Sequence, residues 1–420
     1  MKKILDITRN GFLITGLLTL PSLTDVRAVN NVETVSVEDS HHNKPAPLTL
    51  PTDLPEIPED AREVVLYASN GRKVVSTLDP QLERSLQQFI LKQPHNPIVS
   101  VVLVEAKSGR ILALTQGRDP KKWGANVHTG LYPGFPAASV FKLVSTAASI
   151  EVVHIDPNID MSPADRCATI NPHPSWLNNF APGNGSISLE NAFARSCNSF
   201  YSKLGVKYVG IGLLERFARK FGWGSVIPAD FHIPLSPIDI PVPETSTMQT
   251  VGSFAAGFGR VGLSTVHAAW FSLLIANNGR PLPLRITRDD TIPLTNQLDD
   301  NSIIDAETSL QIRQMMKATV MTGTAHKAFG GKRYKMIRHL AGGKTGSLSS
   351  LELKSQEISP RVTWFVGLMP YDNPEVVVSA VAVAEDYHHT GAFFAAEALY
   401  QWYQLNYGKA NARLSSSSSH

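Results

Sequence analysis

The run Ser139-Val140-Phe141-Lys142-Leu143-Val144-Ser145-Thr146-Ala147-Ala148-Ser149-Ile150 is apolar around most of a helical circumference. A helix of that kind is buried in a large core rather than laid on a surface. It nevertheless carries Lys142, and an unpaired charge is expensive in such a setting. A buried amine therefore gives up its proton more readily than one in water. Residues i and i+3 share a helical face, which sets this amine beside the Ser139 hydroxyl. A serine next to a neutral amine is an activated nucleophile suited to acyl transfer. Alone, Ser-x-x-Lys is a weak signal, because on the order of one such spacing arises by chance in a chain this long.

The segments around this helix predict its setting. Residues 79–93 have helical spacing through Leu82, Leu86, Phe89 and Ile90, and a strand-like run follows over 98–105. The turn Lys107-Ser108-Gly109-Arg110 leads into a second strand at 111–114, giving an antiparallel hairpin. A mostly helical middle extends from Ser139 to about Asn277. Two β-branched runs, 362–369 and 376–385, flank Pro370-Tyr371-Asp372-Asn373-Pro374 and form a second hairpin, and a last helix is expected over 391–405. The fold class is mixed α/β: a central antiparallel sheet flanked by helices, plus a mostly helical subdomain.

Two further motifs follow the first in order, Ser196-Cys197-Asn198 and Lys344-Thr345-Gly346. Ser196 and Asn198 fall on a short connection between two helical stretches, where polar groups can point into a cleft. Lys344-Thr345-Gly346 enters the strand region, where a cation and a hydroxyl can hold a carboxylate and Gly346 admits a close backbone. This ordered set resembles that of penicillin-binding proteins and serine β-lactamases. Further likeness lies in Thr77-Leu78-Asp79-Pro80, Gly109-Arg110-Ile111-Leu112-Ala113, Tyr132-Pro133-Gly134, Gly323-Thr324-Ala325 and Trp364-Phe365-Val366-Gly367. It covers about residues 65–405.

The resemblance implies a β-lactamase/transpeptidase-like fold and a penicillin-binding serine D,D-transpeptidase that acts on D-Ala-D-Ala stem peptides in peptidoglycan cross-linking. Ser139 is then the nucleophile that forms the acyl-enzyme, and Lys142 its base. Ser196 and Lys344 help return a proton to the leaving D-alanine. Asn198 binds the peptide amide, Thr345 the terminal carboxylate beside Gly346, and the N–H groups of Ser139 and Ser347 hold the oxyanion. Such donors typically contribute roughly 3 to 4 kcal/mol to lowering the barrier. β-Lactam antibiotics are expected as covalent inhibitors, and cell-wall synthesis proteins as possible partners. The competing readings are a D,D-carboxypeptidase, a class D-like β-lactamase and a non-catalytic peptidoglycan-binding scaffold. No Glu-x-x-Leu-Asn lies between the second and third motifs, which speaks against the class A β-lactamase type.

Composition bounds the remaining classes. The chain has 420 residues, with 39 basic against 36 acidic side chains, and this weak balance gives no argument for nucleic acid as a partner. Lys2 and Lys3 precede a short apolar run at 11–20, followed by Val26-Arg27-Ala28. Residues 1–28 thus read as a cleaved signal peptide, and the protein as periplasmic or otherwise extracytoplasmic, since the run is shorter than the roughly 20 residues a membrane anchor needs. Residues 29–64 are polar and proline-punctuated, and read as a disordered linker or stalk before a transpeptidase domain over 65–410. Residues 411–420 read as a disordered tail. Cys167 and Cys197 either pair, closing a loop worth roughly 3 to 4 kcal/mol, or stay as buried thiols. No CxxC or HExxH occurs, so neither metal nor cofactor is expected. Gly257-Phe258-Gly259-Arg260-Val261-Gly262 is a formal GxGxxG without a strand before it, so a nucleotide site is rejected in favour of a Gly-rich turn ahead of a helix at 265–277. The Asp289-Asp290 and Asp299-Asp300 pairs read as solvated, and His388-His389 as a surface turn.

Overall fold

Unbroken runs of valine and alanine suit strands covered on both faces, and two such runs become central strands here. In the computed structural model the described residues are 46–68, 71–93, 98–119, 128–161, 167, 186–297, 301–349, 361–384 and 389–417, all within one unit that begins at Pro45. β1 (Val65–Tyr67) and β2 (Lys73–Val75) form a small antiparallel ribbon ahead of helix α1 (Pro80–Leu91). The first predicted hairpin is β3 (Ile98–Glu105) with β4 (Ile111–Arg118), the second strand running four residues past its expected end at Leu114. β5 (Phe135–Pro136) pairs with β8 (Gly262–Leu263), and β6 (Asp160–Met161) with β7 (Ile187–Ser188). β9 (Gly342–Ser349), β10 (Arg361–Met369) and β11 (Val376–Ala384) complete a five-stranded antiparallel sheet ordered β4-β3-β11-β10-β9.

Two apolar layers cover this sheet. On one face α1 and α10 (Gly391–Ser417) bury Leu82, Leu86, Phe394 and Leu399 against Val101 and Phe365. On the other, Val102, Val104 and Val381 meet the helical region of α2 (Lys142–Glu151), α3 (Leu189–Ala194), α4 (Asn198–Leu204), α5 (Gly210–Lys220) and α6 (Met248–Ala255). α7 (Thr265–Ala276) is buried at every position and lies in that layer against β3, β10 and β11. A helix apolar all round can only sit inside a core. The Ser264 hydroxyl caps it by accepting from the His267 amide at 3.1 Å. α8 (Ala306–Met321) runs along β9 and α3, and the short α9 (Lys335–Arg338) precedes β9.

Two expectations about the ends of the chain change, and a third falls outside the described residues. Residues 46–64 are not a free stalk: Leu48, Leu50, Ile57 and Val64 are buried in the main core, and Leu48 bridges to Phe231, its amide donating to the Asp230 carbonyl at 2.8 Å. Polar ties add to these scattered apolar side chains: Gln116 Nε2 donates to the Thr52 carbonyl at 2.8 Å and Arg118 pairs with Asp53 at 2.8 Å. The final helix passes its expected end at Leu405 and runs through Ser417, into the segment read as a tail, because extending a formed helix costs far less than starting one. Residues 1–28, with the expected signal peptide, lie outside the described residues. Among the described residues no helix is long and apolar enough to cross a membrane.

One buried acid links α1 to the sheet. Glu83 is fully buried, and its carboxylate accepts from the Leu114 amide at 2.8 Å. Burial pushes this carboxyl up to about 7 despite that hydrogen bond. Its folded-state pKa thus exceeds its unfolded value, so the native state holds a proton that the unfolded chain has already lost. The resulting stability is complete below the ordinary glutamate range and disappears as pH rises through about 7. Glu83→Gln is expected to flatten this decline and to leave the variant more stable than the parent at about pH 8. Denaturant unfolding across that range measures it.

Candidate active site

The helix carrying the first motif begins with a tighter turn than its sequence implies. Ala138–Phe141 is a 3₁₀ turn and α2 proper starts at Lys142, so Ser139 stands at the mouth of the helix, half-buried, rather than within it. Ala138 just before it has φ of +49°, a left-handed conformation costly for a residue with a Cβ. The strand-like lead-in is clamped from two sides. The Ala137 amide donates to the Val261 carbonyl at 2.8 Å, and the Trp364 indole N–H donates to the Pro136 carbonyl at 2.8 Å.

Lys142 is completely buried. Its Nζ lies 2.6 Å from Ser139 Oγ, 2.9 Å from Asn198 Oδ1 and 2.7 Å from the Ala256 carbonyl oxygen. The last two accept only, and they match the two N–H groups of a neutral amine, which leaves its lone pair for the serine proton. Burial, with a smaller contribution from the Lys344 cation, holds the Lys142 amine well below the ordinary lysine value. The Tyr201 ring lies 5.5 Å from Nζ, and its hydroxyl is hydrogen-bonded to Thr146 at 2.6 Å.

The second motif is the end of one helix and the start of the next. After α3, the Ser196 amide donates to the Phe193 carbonyl at 3.0 Å and the Cys197 amide to the Ala192 carbonyl at 2.8 Å. That pair of bonds is a Schellman termination, whose left-handed residue is usually glycine. Here it is Ser196, at φ of +56°. The strain turns its hydroxyl towards the third motif, and Asn198 opens α4 facing the first. Cys197, between them, is bridged to Cys167, so the open question about the two thiols resolves to a disulfide. Closing that loop contributes roughly 3 to 4 kcal/mol.

The third motif occupies β9, an edge strand of the described sheet. Lys344 is fully buried; its Nζ donates to Ser196 Oγ and to the Thr345 carbonyl, both at 2.9 Å. Burial brings this amine down to about 7. The Phe193 ring lies 5.5 Å from it. Thr345 is half-buried and its hydroxyl is hydrogen-bonded to that of Thr324. At Gly346 the strand passes the nucleophile's turn so closely that a Cβ would sit 3.0 Å from Val140 Cγ2 and 3.1 Å from the Ala137 carbonyl oxygen. Ser347 follows, exposed at its side chain and paired with Thr363 through the backbone.

The fold thus assembles Ser139, Lys142 and Asn198 into one hydrogen-bonded group and Ser196, Lys344 and Thr345 into a second, joined where β9 passes the nucleophile's turn. Several participants escaped the sequence reading. The Ala256 carbonyl is backbone and leaves no residue signature. Tyr201 and Phe193 belong to none of the three motifs. The Gly257 turn was visible as a formal GxGxxG, but its role was not. Of the doubtful polar pairs, Asp289 takes Arg72 at 2.9 Å and His389 stacks on Phe393, whereas Asp299, Asp300 and His388 lie outside the described residues.

Gly257 has φ of +89°, and a Cβ there would lie 2.2 Å from the Ala138 carbonyl oxygen and 3.3 Å from the Ser139 amide nitrogen. Gly257→Ala therefore has to push the nucleophile's turn away from Lys142. With Ser139 as the nucleophile that the motif resemblance implies, the expected outcome is a folded protein, by circular dichroism, that reacts with a fluorescent penicillin at least about tenfold more slowly.

Residues 99–404 match the family described as the penicillin binding protein transpeptidase domain. The chain is 24% identical to a peptidoglycan D,D-transpeptidase PbpA of Mycolicibacterium smegmatis over 74% of its own length and 67% of the relative's. It is 25% identical to penicillin-binding protein PbpB of Mycobacterium tuberculosis over 74% of itself but 48% of that protein, so it spans about half to two thirds of these relatives. Among solved structures, penicillin binding protein 3 of M. tuberculosis in complex with aztreonam superposes with a TM-score of 0.60 at 22% identity, over 80% of this chain and 79% of that one. The transpeptidase domain of penicillin-binding protein 3 from Burkholderia pseudomallei gives 0.62 at 17% identity, over 79% and 96%. Motif order, fold and family match agree: this chain belongs to the penicillin binding protein transpeptidase domain family.

Proposed function

We propose that the protein is a serine D,D-transpeptidase that cross-links peptidoglycan through an acyl-enzyme on Ser139. The observation that carries this reading is the 2.6 Å approach of Lys142 Nζ to Ser139 Oγ, with the amine's remaining directions taken by two acceptors. Ser139 attacks the carbonyl of the penultimate D-alanine of a stem peptide while Lys142 takes its proton. The N–H groups of Ser139 and Ser347 receive the oxyanion. Lys344, through Ser196, returns a proton to the departing D-alanine, after which an amine of a neighbouring stem takes the acyl group. Asn198 binds the donor's amide and Thr345 its terminal carboxylate. Among the described residues β9 has no strand on its outer side, which suits a donor peptide that adds as a further strand beside Gly346 and Ser347.

Capture of β-lactams as the same ester belongs to this reading. Support comes from the relatives' complexes, since one M. tuberculosis neighbour is described with aztreonam and another as a ceftriaxone acyl-enzyme. An extracytoplasmic location belongs to it as well, and is supported by the Cys167–Cys197 bridge, because such bonds persist in oxidising compartments.

Two outcomes test the proposal. With a fluorescent penicillin, the parent is expected to carry a stable label that is absent in Ser139→Ala; with purified muropeptides, mass analysis is expected to find cross-linked dimer. Released D-alanine without dimer would instead assign a D,D-carboxypeptidase, and loss of the label within minutes a β-lactamase. The second outcome concerns pH. Attack needs Lys142 neutral, so the acylation rate rises through its lowered pKa; leaving-group protonation needs Lys344 charged, so the rate falls above about 7. A bell-shaped profile of the second-order acylation rate is expected, with its alkaline limb near that value. A rate that climbs steadily to about pH 10 would remove Lys344 from the proton path.

A further inference from the structure

Thr324 lies in the turn after α8, outside the three motifs, yet it touches two of them. Gly323 presses so closely on the end of α3 that a Cβ would lie 2.2 Å from the Ala194 carbonyl oxygen. The Thr324 amide donates to that oxygen at 3.0 Å, and its hydroxyl donates to the same atom at 3.4 Å when it is not turned towards Thr345. Ala325 is fully buried, and its amide donates to the Thr319 carbonyl at 3.1 Å, which fixes the turn on α8. From this anchored position the exposed Thr324 hydroxyl reaches across to the Thr345 hydroxyl. One turn therefore ties the helix end just before Ser196 to the residue just after Lys344.

The proton count in this pair matters. Each hydroxyl has one proton and can also accept. If Thr345 donates to Thr324, it has nothing to offer an anion. If Thr324 donates to Thr345, the Thr345 proton is free to point at a carboxylate, and a chain of two hydroxyls polarises towards a negative charge. An arriving carboxylate selects the second arrangement, and the anchored turn holds Thr324 where this needs only rotation of two O–H bonds.

We propose that Thr324 is a positioning residue that directs the Thr345 hydroxyl at the terminal carboxylate of the acyl donor, in the relay Thr324 O–H to Thr345 Oγ1, Thr345 O–H to carboxylate. The proposal rests on the reading of Thr345 as the carboxylate anchor. It gives the Gly323-Thr324-Ala325 segment a part in donor selection: peptides and β-lactams with a free carboxylate gain from it, and esterified ones do not.

The test compares second-order acylation rates of benzylpenicillin and benzylpenicillin methyl ester in the full chain and in Thr324→Val, Thr324→Ala, Thr324→Ser and Thr345→Val. Thr324→Val and Thr324→Ala are expected to lose about five- to tenfold with the free acid, the loss a single neutral hydrogen bond carries, and under about twofold with the ester. Thr324→Ser is expected to restore the parent rates. Thr324→Ala serves where the branched apolar side chain unsettles the turn, and thermal melting confirms folding of each variant. Equal losses on acid and ester in folded Thr324→Val and Thr324→Ala would reduce Thr324 to a structural tie and overturn the proposal. Selective loss in Thr345→Val, with both Thr324 variants at the parent rate, would keep the anchor and reject the relay. Absence of any acid-to-ester difference in Thr345→Val would reject the anchor reading itself.

Discussion

Removal of the Lys142 amine from water is the constraint around which the protein is arranged. An ammonium in that position would lose several kcal/mol of hydration, and the fold offers it no carboxylate in compensation among the contacts described. It supplies instead two neutral acceptors, Asn198 Oδ1 and the Ala256 carbonyl, on two separate elements. Both must be delivered to within 3 Å of one nitrogen. That requirement dictates how closely α4 and α6 approach α2. The Ser145 hydroxyl, donating to the Ala255 carbonyl at 2.7 Å, and the Thr146–Tyr201 pair hold the same two helices one turn further along.

Strain accumulates at the residues that present reactive groups. Ala138 and Ser196 both occupy left-handed backbone conformations that glycine would adopt freely. Each is over-determined by its surroundings: Ala138 by the Gly257 turn packed on its carbonyl, Ser196 by the Schellman bonds of α3 and the Cys167–Cys197 bridge beside it. A glycine at 196 would relieve the backbone and abolish the hydroxyl that Lys344 contacts. Backbone strain here is the consequence of requiring a side chain where geometry prefers none.

Lys142 and Lys344 illustrate how one chemical type serves two needs. Both are fully buried and both lie near an aromatic face; Lys142 meets a hydroxyl, a side-chain amide oxygen and a backbone carbonyl, and Lys344 a hydroxyl and a backbone carbonyl. Burial lowers both amines, and the Lys344 charge lowers that of Lys142 further.

Much of this was legible without coordinates. The apolar circumference of 139–150 implied a buried lysine beside a serine, and β-branched runs implied the two hairpins, because helical and strand periods are local properties. Motif order implied the family, and with it the residues that meet. What local pattern did not convey was contact between distant backbones. The Ala256 carbonyl has no side chain to recognise, the prolines of residues 46–64 read as a linker although its sparse leucines bury, and Thr324 becomes meaningful only when α8 ends against α3 and β9. The sequence by itself determined the three ordered motifs, the family they point to and most of the elements that hold them. Tertiary structure alone decided the acceptors that surround the Lys142 amine, the strained backbone at Ala138 and Ser196, and the disulfide between Cys167 and Cys197, because each depends on what the chain brings from far away to within hydrogen-bond or covalent reach.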